Sequence, residues 1–253
     1  MVNIFVFSGT GNTLYCAKEI SKKLNEESKI ISINFSNKNS FFCEADKAIF
    51  MFPIYAYTIP SIVREFIKNI TLKTSYIACV VTYGSSVGYS LSETNKLFLK
   101  KNLTINYFSK IKMPENIGSL FKENETKNDL IISLSNNLVN EISYDINNLV
   151  NNKTKTSSFI SLFPKALYRT FERTIFIKNR VSHKRCNKCR LCTIICPLRA
   201  IRFENNAIKV NHSSCTHCQR CINNCPKLAI TLFFQNHKDK RYTNKYIKLE
   251  ELL

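Results

Sequence analysis

The sequence predicts an α/β protein with a doubly wound, five-stranded parallel sheet, followed by a small α+β module. Two observations carry this prediction. Apolar strand-like segments alternate with helical segments over residues 1–150, and one cysteine spacing occurs twice between residues 186 and 226. Alternating strands and helices are typical of a parallel sheet, because each helix returns the chain to the start of the next strand. The 253 residues suit one mid-sized domain and one small one.

Five apolar segments are predicted as the strands of this sheet. The first, Val2–Phe7, is rich in Val, Ile and Phe, as a strand buried on both faces should be. The fourth, Tyr76–Val81, is the most continuously apolar and is predicted to be the central strand. The strands are predicted at 2–7, 29–34, 46–52, 76–81 and 103–113, with helices at 14–24, 62–69, 90–101 and 128–149.

A turn of glycines and hydroxyl residues at 8–13 joins the first strand to the first helix. Its N–H groups and hydroxyls would converge at the positive end of the helix dipole, which favours an anion. The turn is not a Walker loop, since no Gly-Lys-Ser/Thr is present, and it lacks the third glycine of the dinucleotide fingerprint. A strand-to-helix turn without a ligand is the alternative, and three hydroxyl residues beside two glycines disfavour it.

This turn matches the Thr/Ser-x-Thr-Gly-x-Thr phosphate loop of flavodoxins, which the chain therefore resembles at these positions. The resemblance implies that the loop binds the phosphate of FMN through hydroxyls, a side-chain amide and the backbone. The residues to which it assigns this site are Ser8, Thr10, Gly11, Asn12 and Thr13.

Flavodoxins hold the isoalloxazine ring of FMN between the loops after the third and fourth strands, and ligands of open α/β sheets bind at the carboxyl ends of the strands. Four of the five glycines of the chain lie in the loops after the first and fourth predicted strands. The resemblance therefore implies ring contacts in two further loops, and tyrosines in both are candidates for stacking on the ring, with simple packing as the alternative. The candidates are Pro53, Ile54, Tyr55, Ala56 and Tyr57 in one loop, and Thr82, Tyr83, Gly84, Ser85 and Tyr89 in the other.

The cysteine register C-x2-C-x2-C-x3-C-P occurs twice, over residues 186–197 and 215–226. This is the bacterial pattern for two [4Fe–4S] clusters, in which the fourth cysteine of each motif binds the other cluster. Structural zinc and disulfides are the alternatives, but zinc sites usually take ligands in two pairs, and disulfides belong to secreted chains. The predicted ligand sets are Cys186, Cys189, Cys192 and Cys225 for one cluster, and Cys215, Cys218, Cys221 and Cys196 for the other.

Short apolar segments follow each Cys-Pro pair, at Ala200–Phe203 and Ala229–Leu232. They are predicted as matching short strands that cover the clusters. Cys16, Cys43 and Cys79 lie in apolar stretches instead and are predicted to be small buried residues.

The net charge of +19 is unevenly distributed. Residues 1–150 carry 16 Lys+Arg against 13 Asp+Glu, whereas residues 151–253 carry 21 against 5. Two interpretations stay open: the excess neutralises anionic clusters and a phosphate, or it forms a docking face for a redox partner with an acidic surface. No basic-aromatic recognition module indicates nucleic acid, which is therefore not an expected partner.

The domain boundaries follow these patterns. A flavin-binding domain is predicted at 1–150, a linker with a basic helix at 151–182, the two-cluster module at 183–234 and a tail at 235–253. The basic helix is expected to pack the domains together, with a membrane surface as the alternative, and the polar tail is expected to be a partly ordered surface segment. Because no apolar run approaches about 20 residues and no signal peptide is evident, a cytoplasmic protein without a transmembrane segment is expected.

The order of the two halves resembles the flavodoxin–ferredoxin fusion proteins of anaerobes. The resemblance implies electron transfer between FMN and two [4Fe–4S] clusters, which would convert between two-electron and one-electron partners. One alternative is a flavin-dependent oxidoreductase that reduces a quinone, a nitro compound or a peroxide. The other is a redox-sensing regulatory module. No catalytic acid–base set is predicted, because the four histidines lie in the basic C-terminal part without a carboxylate constellation.

Overall fold

A computed structural model describes residues 1–36, 40–117, 124–152 and 179–253. The strands are β1 Val2–Val6, β2 Ser28–Ser32, β3 Phe41–Glu44, β4 Lys47–Pro53, β5 Ile70–Lys73, β6 Tyr76–Tyr83, β7 Tyr107–Lys112, β8 Arg180–Val181, β9 Ile201–Glu204, β10 Ala207–Val210 and β11 Ile230–Thr231. The helices are α1 Asn12–Ser21, α2 Ser61–Asn69, α3 Ser90–Leu99, α4 Glu125–Asn147, α5 Leu191–Ile194 and α6 Arg220–Asn223, and 3-10 turns lie at His212–Ser214 and Leu249–Leu252.

The main sheet has five strands in the order β2-β1-β4-β6-β7, and each neighbouring pair is parallel. This is the flavodoxin-like order, in which the chain winds outward in both directions from β1. The predicted doubly wound parallel sheet is therefore confirmed. The carboxyl ends of all five strands lie at one edge, where the predicted ligand loops follow β1, β4 and β6.

Two expectations about the strands were wrong. The middle strand is β4 and not β6, because both are buried on both faces and continuous apolarity reports burial rather than position in the sheet. The strand predicted from residue 103 begins only at Tyr107. A further pair of short parallel strands, β3 and β5, forms a separate small sheet that the sequence did not predict. Phe42 on β3 is exposed, so β3 lacks the continuous burial of the strands that were predicted.

Apolar side chains cover both faces of the main sheet. On one face Phe5, Phe50 and Phe66 pack with ring centroids 5.0 Å (Phe5–Phe50) and 5.4 Å (Phe5–Phe66) apart. On the other face α1 and α4 pack through residues such as Ile20 and Val139. The prediction for the three remaining cysteines is confirmed, because Cys16, Cys43 and Cys79 are all buried.

The cysteine-rich module consists of small antiparallel pairs and two short helices. β9 pairs with β10 in a hairpin, and β11 pairs with β8. The two short strands predicted after the Cys-Pro pairs therefore form. Leu198, Ala200 and Cys218 of this module belong to the same apolar cluster as Phe5 and Phe50, so the module and the sheet domain share one core.

The expectation of a partly ordered surface tail is wrong for its last part. Tyr242, Asn244 and Leu252 are buried against the sheet domain, and Leu252 joins the apolar cluster beneath α1 and α4. Most of the predicted linker and its basic helix, residues 153–178, lies outside the described residues. None of the described helices combines the length and the apolar character that a membrane span requires.

Candidate functional site

A cavity of about 380 Å³ opens at the carboxyl edge of the main sheet. The loops after β1, β4 and β6 meet there, as the sequence predicted, and the segment after β7 also lines it. The lining residues are Ser8, Gly9, Thr10, Asn12, Thr13, Pro53, Ile54, Tyr55, Thr82, Tyr83, Gly84, Met113, Pro114, Glu115 and Asn116.

The turn at 8–13 has the geometry of an anion-binding loop. Gly11 caps α1 with φ +101°, a conformation that favours glycine, and its N–H donates to Ser8 Oγ at 3.2 Å. The hydroxyls of Thr13 and Thr82 are hydrogen-bonded at 2.7 Å and so join two of the loops. The first N–H groups of α1 have no acceptor within the helix and are available to an anion. This arrangement fits the phosphate of FMN.

The side chain of Asn12, predicted to bind the phosphate, is held by other parts of the protein. Its Nδ2 donates to the carbonyl of Pro114 at 2.9 Å, and its Oδ1 accepts from Tyr242 Oη at 2.6 Å and from Asn244 Nδ2 at 3.1 Å. The side chain therefore braces the loop, while the N–H group of Asn12 remains at the start of α1.

The four candidate tyrosines fall into two pairs. Tyr55 and Tyr83 line the cavity, whereas Tyr57 and Tyr89 lie beyond it, where the N–H of Tyr89 donates to the carbonyl of Tyr57 at 2.8 Å. The Tyr55 hydroxyl is buried and has no hydrogen-bond partner among the described residues. A polar atom of a bound ligand would satisfy it. The other predicted residues that do not line the cavity are Gly11, Ala56 and Ser85.

Sequence reasoning missed the segment Met113–Asn116. It follows β7, whose carboxyl end lies at the same edge as the ligand loops, so the strand order was the signal that could have found it. The carboxyl group of Glu115 lies directly over Gly84, where a β-carbon would collide with it. An acidic group is thus built into the wall of the cavity.

The eight motif cysteines surround two further cavities of similar size, about 370 and 350 Å³. The first is lined by Cys186, Cys189, Cys192, Cys221 and Cys225, and the second by Cys196, Cys215, Cys218 and Cys221. The structure therefore brings together each predicted ligand set, including the cysteine that crosses over from the other motif. Cys221 lies between the two cavities. In the described parts of the chain, no three His, Cys, Asp or Glu side chains converge on one metal-ion position.

Several of these thiols are buried, which disfavours their charged form. Burial, with help from neighbouring cysteines, raises the pKa of Cys215 to about 12 and that of Cys192 to about 11. Without a cation these groups would stay protonated at neutral pH, whereas iron stabilises the thiolate form outright. The hydroxyl of Thr216, on the wall of the second cavity, is buried without a hydrogen-bond partner in the described residues.

The wall of the sheet-edge cavity touches the wall of the second cysteine cavity. A β-carbon on Gly9, in the phosphate loop, would collide with the carbonyl oxygen of Cys218 and would lie 2.5 Å from the Tyr55 hydroxyl. Arg220, in the second motif, donates to the carbonyls of Ser8 at 2.6 Å and Gly9 at 3.2 Å. Sequence reasoning did not single out Arg220.

Residues 3–109 match the family model described as a flavodoxin domain, and residues 185–240 match the model described as a 4Fe-4S dicluster domain. The chain thus carries the two predicted domains in the predicted order. No curated protein matches the chain.

Several solved structures resemble the N-terminal part. Two-electron reduced Megasphaera elsdenii flavodoxin is 16% identical over 57% of this chain and 99% of its own, with a TM-score of 0.36. A Lactobacillus acidophilus flavoprotein in complex with FMN is 11% identical over 43% of this chain and 91% of its own, with a TM-score of 0.33. Rubredoxin oxygen:oxidoreductase from Desulfovibrio gigas is 11% identical over 57% of this chain and 36% of its own, with a TM-score of 0.33.

Proposed function

We propose that this chain transfers electrons between FMN, bound at the sheet edge, and two [4Fe–4S] clusters, bound by the crossed cysteine sets. FMN takes up two electrons and releases them singly, and each cluster carries one, so the chain would convert between two-electron and one-electron partners. The observation that carries this proposal is the contact of Gly9 with Cys218. It joins the wall of the flavin cavity to a cluster ligand without intervening side chains.

The two clusters would lie at different positions along the route of electrons from FMN to the protein surface. Cys218 is buried next to the phosphate loop, whereas Cys189, in the other set, is exposed. We propose that redox partners approach the surface around Cys189. Exposed basic residues lie near it in the sequence and acidic ones do not, so a partner with an acidic docking face is favoured. The basic residues are Lys184, Arg185, Lys188 and Arg190.

Glu115 supports a second candidate function, the reduction of a small acceptor at the flavin. A carboxyl group on the cavity wall can exchange a proton with a bound acceptor, as the reduction of a small molecule requires. Steady turnover of a quinone, a nitro compound or a peroxide by the purified protein would favour this function. Electron relay between proteins without such turnover would favour the carrier.

None of the eleven cysteines, all of which lie in the described ranges, forms a disulfide, and a reducing compartment keeps thiols in this state. We therefore propose a cytoplasmic location.

Anaerobic purification followed by iron, sulfide and flavin analysis tests the proposed cofactors. We expect one FMN and about eight irons per chain, as two [4Fe–4S] clusters require. Cys196→Ser should remove the cluster of Cys215, Cys218 and Cys221, and Cys16→Ser, at a buried cysteine outside the motifs, is the matched control for iron content. Loss of the other cluster alone in Cys196→Ser would refute the crossed assignment.

A further inference from the structure

Arg220 is hydrogen-bonded at once to three distant segments of the chain. Its guanidinium donates to the carbonyls of Ser8 and Gly9 in the phosphate loop, to that of Ile195 at 3.1 Å and to that of Leu252 at 2.7 Å. The residue is only 4% exposed. A buried charge is tolerated when such polar groups compensate it, as these four carbonyls do for the guanidinium.

The repeat of the cysteine motif shows that the motif itself does not require this arginine. The residue before the third cysteine is Leu191 in the first motif and Arg220 in the second. Both residues begin a short helix, α5 or α6. Because leucine occupies the same place in the first motif, the arginine serves a contact outside the motif. In the structure two of its four carbonyl partners, those of Ser8 and Gly9, belong to the phosphate loop.

The position of Arg220 depends in turn on the cysteines on either side of it. Cys218 and Cys221 line the second cysteine cavity, and Gln219 between them has φ +63°. The helix α6 has four residues, and so short a helix has little stability of its own. Iron bound to the flanking thiolates would therefore hold the backbone from which Arg220 reaches the loop.

We propose that Arg220 couples the two cofactor sites: cluster assembly on Cys196, Cys215, Cys218 and Cys221 positions Arg220, which holds the phosphate loop in the shape that binds FMN. This inference rests on the proposed function, since it requires that both cofactors bind. Coupling between sites is reciprocal, so bound FMN must stabilise the cluster by the same factor. Arg220 is a positioning residue, because it acts on the phosphate through the loop.

The first test compares FMN affinity, measured by flavin fluorescence quenching, in the full chain with reconstituted clusters and after removal of iron by a chelator. We expect the cluster-loaded form to bind FMN about 5- to 150-fold more tightly, the usual range for coupled sites. Arg220→Leu, which introduces the residue of the first motif, should bring the ratio of the two FMN dissociation constants, without and with clusters, close to one. Arg202→Leu, which removes an exposed charge from β9, should leave the ratio unchanged.

A second test uses only the wild-type chain and does not depend on the folding of any variant. Iron release to a ferrous chelator should be slower with FMN than without it, and riboflavin, which lacks the phosphate, should protect less. Equal FMN affinities of the two wild-type forms, or an unchanged ratio in Arg220→Leu, would overturn the coupling. Failure of the cluster-loaded chain to bind FMN would instead overturn the proposed function.

Discussion

Gly9 lies at a contact between the sheet domain and the cysteine-rich module. Its lack of a side chain lets the carbonyl oxygen of Cys218 and the hydroxyl of Tyr55 approach the phosphate loop. The carbonyl of Cys218 belongs to the backbone and cannot move away as a flexible side chain can. A residue with a β-carbon therefore does not fit at position 9. The glycines of the sequence predicted that this loop binds a ligand. Gly9 has a second role, because it also allows the contact between the domains.

Gly9→Ala should destabilise the holoprotein by about 1–3 kcal/mol, the usual cost of overpacking, and should weaken FMN binding. The added methyl group must displace Cys218 or the phosphate loop. The apparent melting temperature and the FMN dissociation constant measure the two effects. Ser133→Ala, at an exposed position of α4, is the control. Wild-type values for Gly9→Ala would mean that the domains do not touch at this point.

Sequence reasoning could propose site residues whose chemistry is encoded locally. The cysteines carry their own spacing, and the hydroxyls of residues 8–13 stand between a strand and a helix. It missed Arg220 and Asn244, because their partners in the phosphate loop lie far earlier in the chain and no local pattern relates them. Asn12 shows the same limit. An asparagine side chain can bind a phosphate, but in the folded chain that of Asn12 is hydrogen-bonded to Pro114, Tyr242 and Asn244.

At the scale of elements, the turn after β4 holds a strained conformation. Ala56 and Tyr57 have φ values of +49° and +65°, and Tyr55 and Thr58 exchange backbone hydrogen bonds of 3.0 Å across them. Left-handed φ is costly for residues other than glycine. The turn is anchored from α3, because Glu93 accepts from Thr58 Oγ1 and is paired with Arg64 at 2.7 Å.

Ala56→Gly should therefore stabilise the protein by up to about 1 kcal/mol, since glycine adopts positive φ without the steric cost. Thermal unfolding of the holoprotein measures the change. Ala207→Gly, in strand β10, provides the opposite case and should destabilise by about 0.5–1 kcal/mol. Destabilisation in both variants would show that Ala56 does not hold the left-handed conformation.

The elements of the main sheet were largely predictable, because buried parallel strands are continuous apolar runs. Their order was predictable only in outline, and β4 rather than β6 occupies the middle. The short strands β3 and β5 were not predicted, since four residues carry little periodicity. The predicted and observed element boundaries differ most where an irregular turn precedes the element, as before β7.

At the scale of the whole molecule, the segment 242–252 belongs to the sheet domain although it follows the cysteine motifs. Leu252 is buried in the core, and Glu251 pairs with Lys18 on α1. The N–H of Asn244 donates to the carbonyl of Thr10 at 2.8 Å. A β-carbon on Gly11 would lie 2.9 Å from that of Asn244, so the segment packs closely against the phosphate loop.

Removal of residues 242–253 should lower the melting temperature and weaken FMN binding. Exposing the core site of Leu252 alone costs about 1.5–3 kcal/mol, and the loop loses its contacts with Asn244 and Tyr242. Removal of Leu253 alone, which is exposed, is the matched control. FMN affinity that survives the longer deletion would show that the segment does not support the loop.

The burial of Leu252 also has a consequence for biosynthesis. The ribosome makes β1 and the phosphate loop first, yet the core beneath α1 is complete only when Leu252 has emerged. Domains usually fold as units in the order of their synthesis, but the last core residue of this N-terminal domain is translated after both cysteine motifs. The packing of Leu252 beneath α1 is therefore a late step, which follows the synthesis of every motif cysteine.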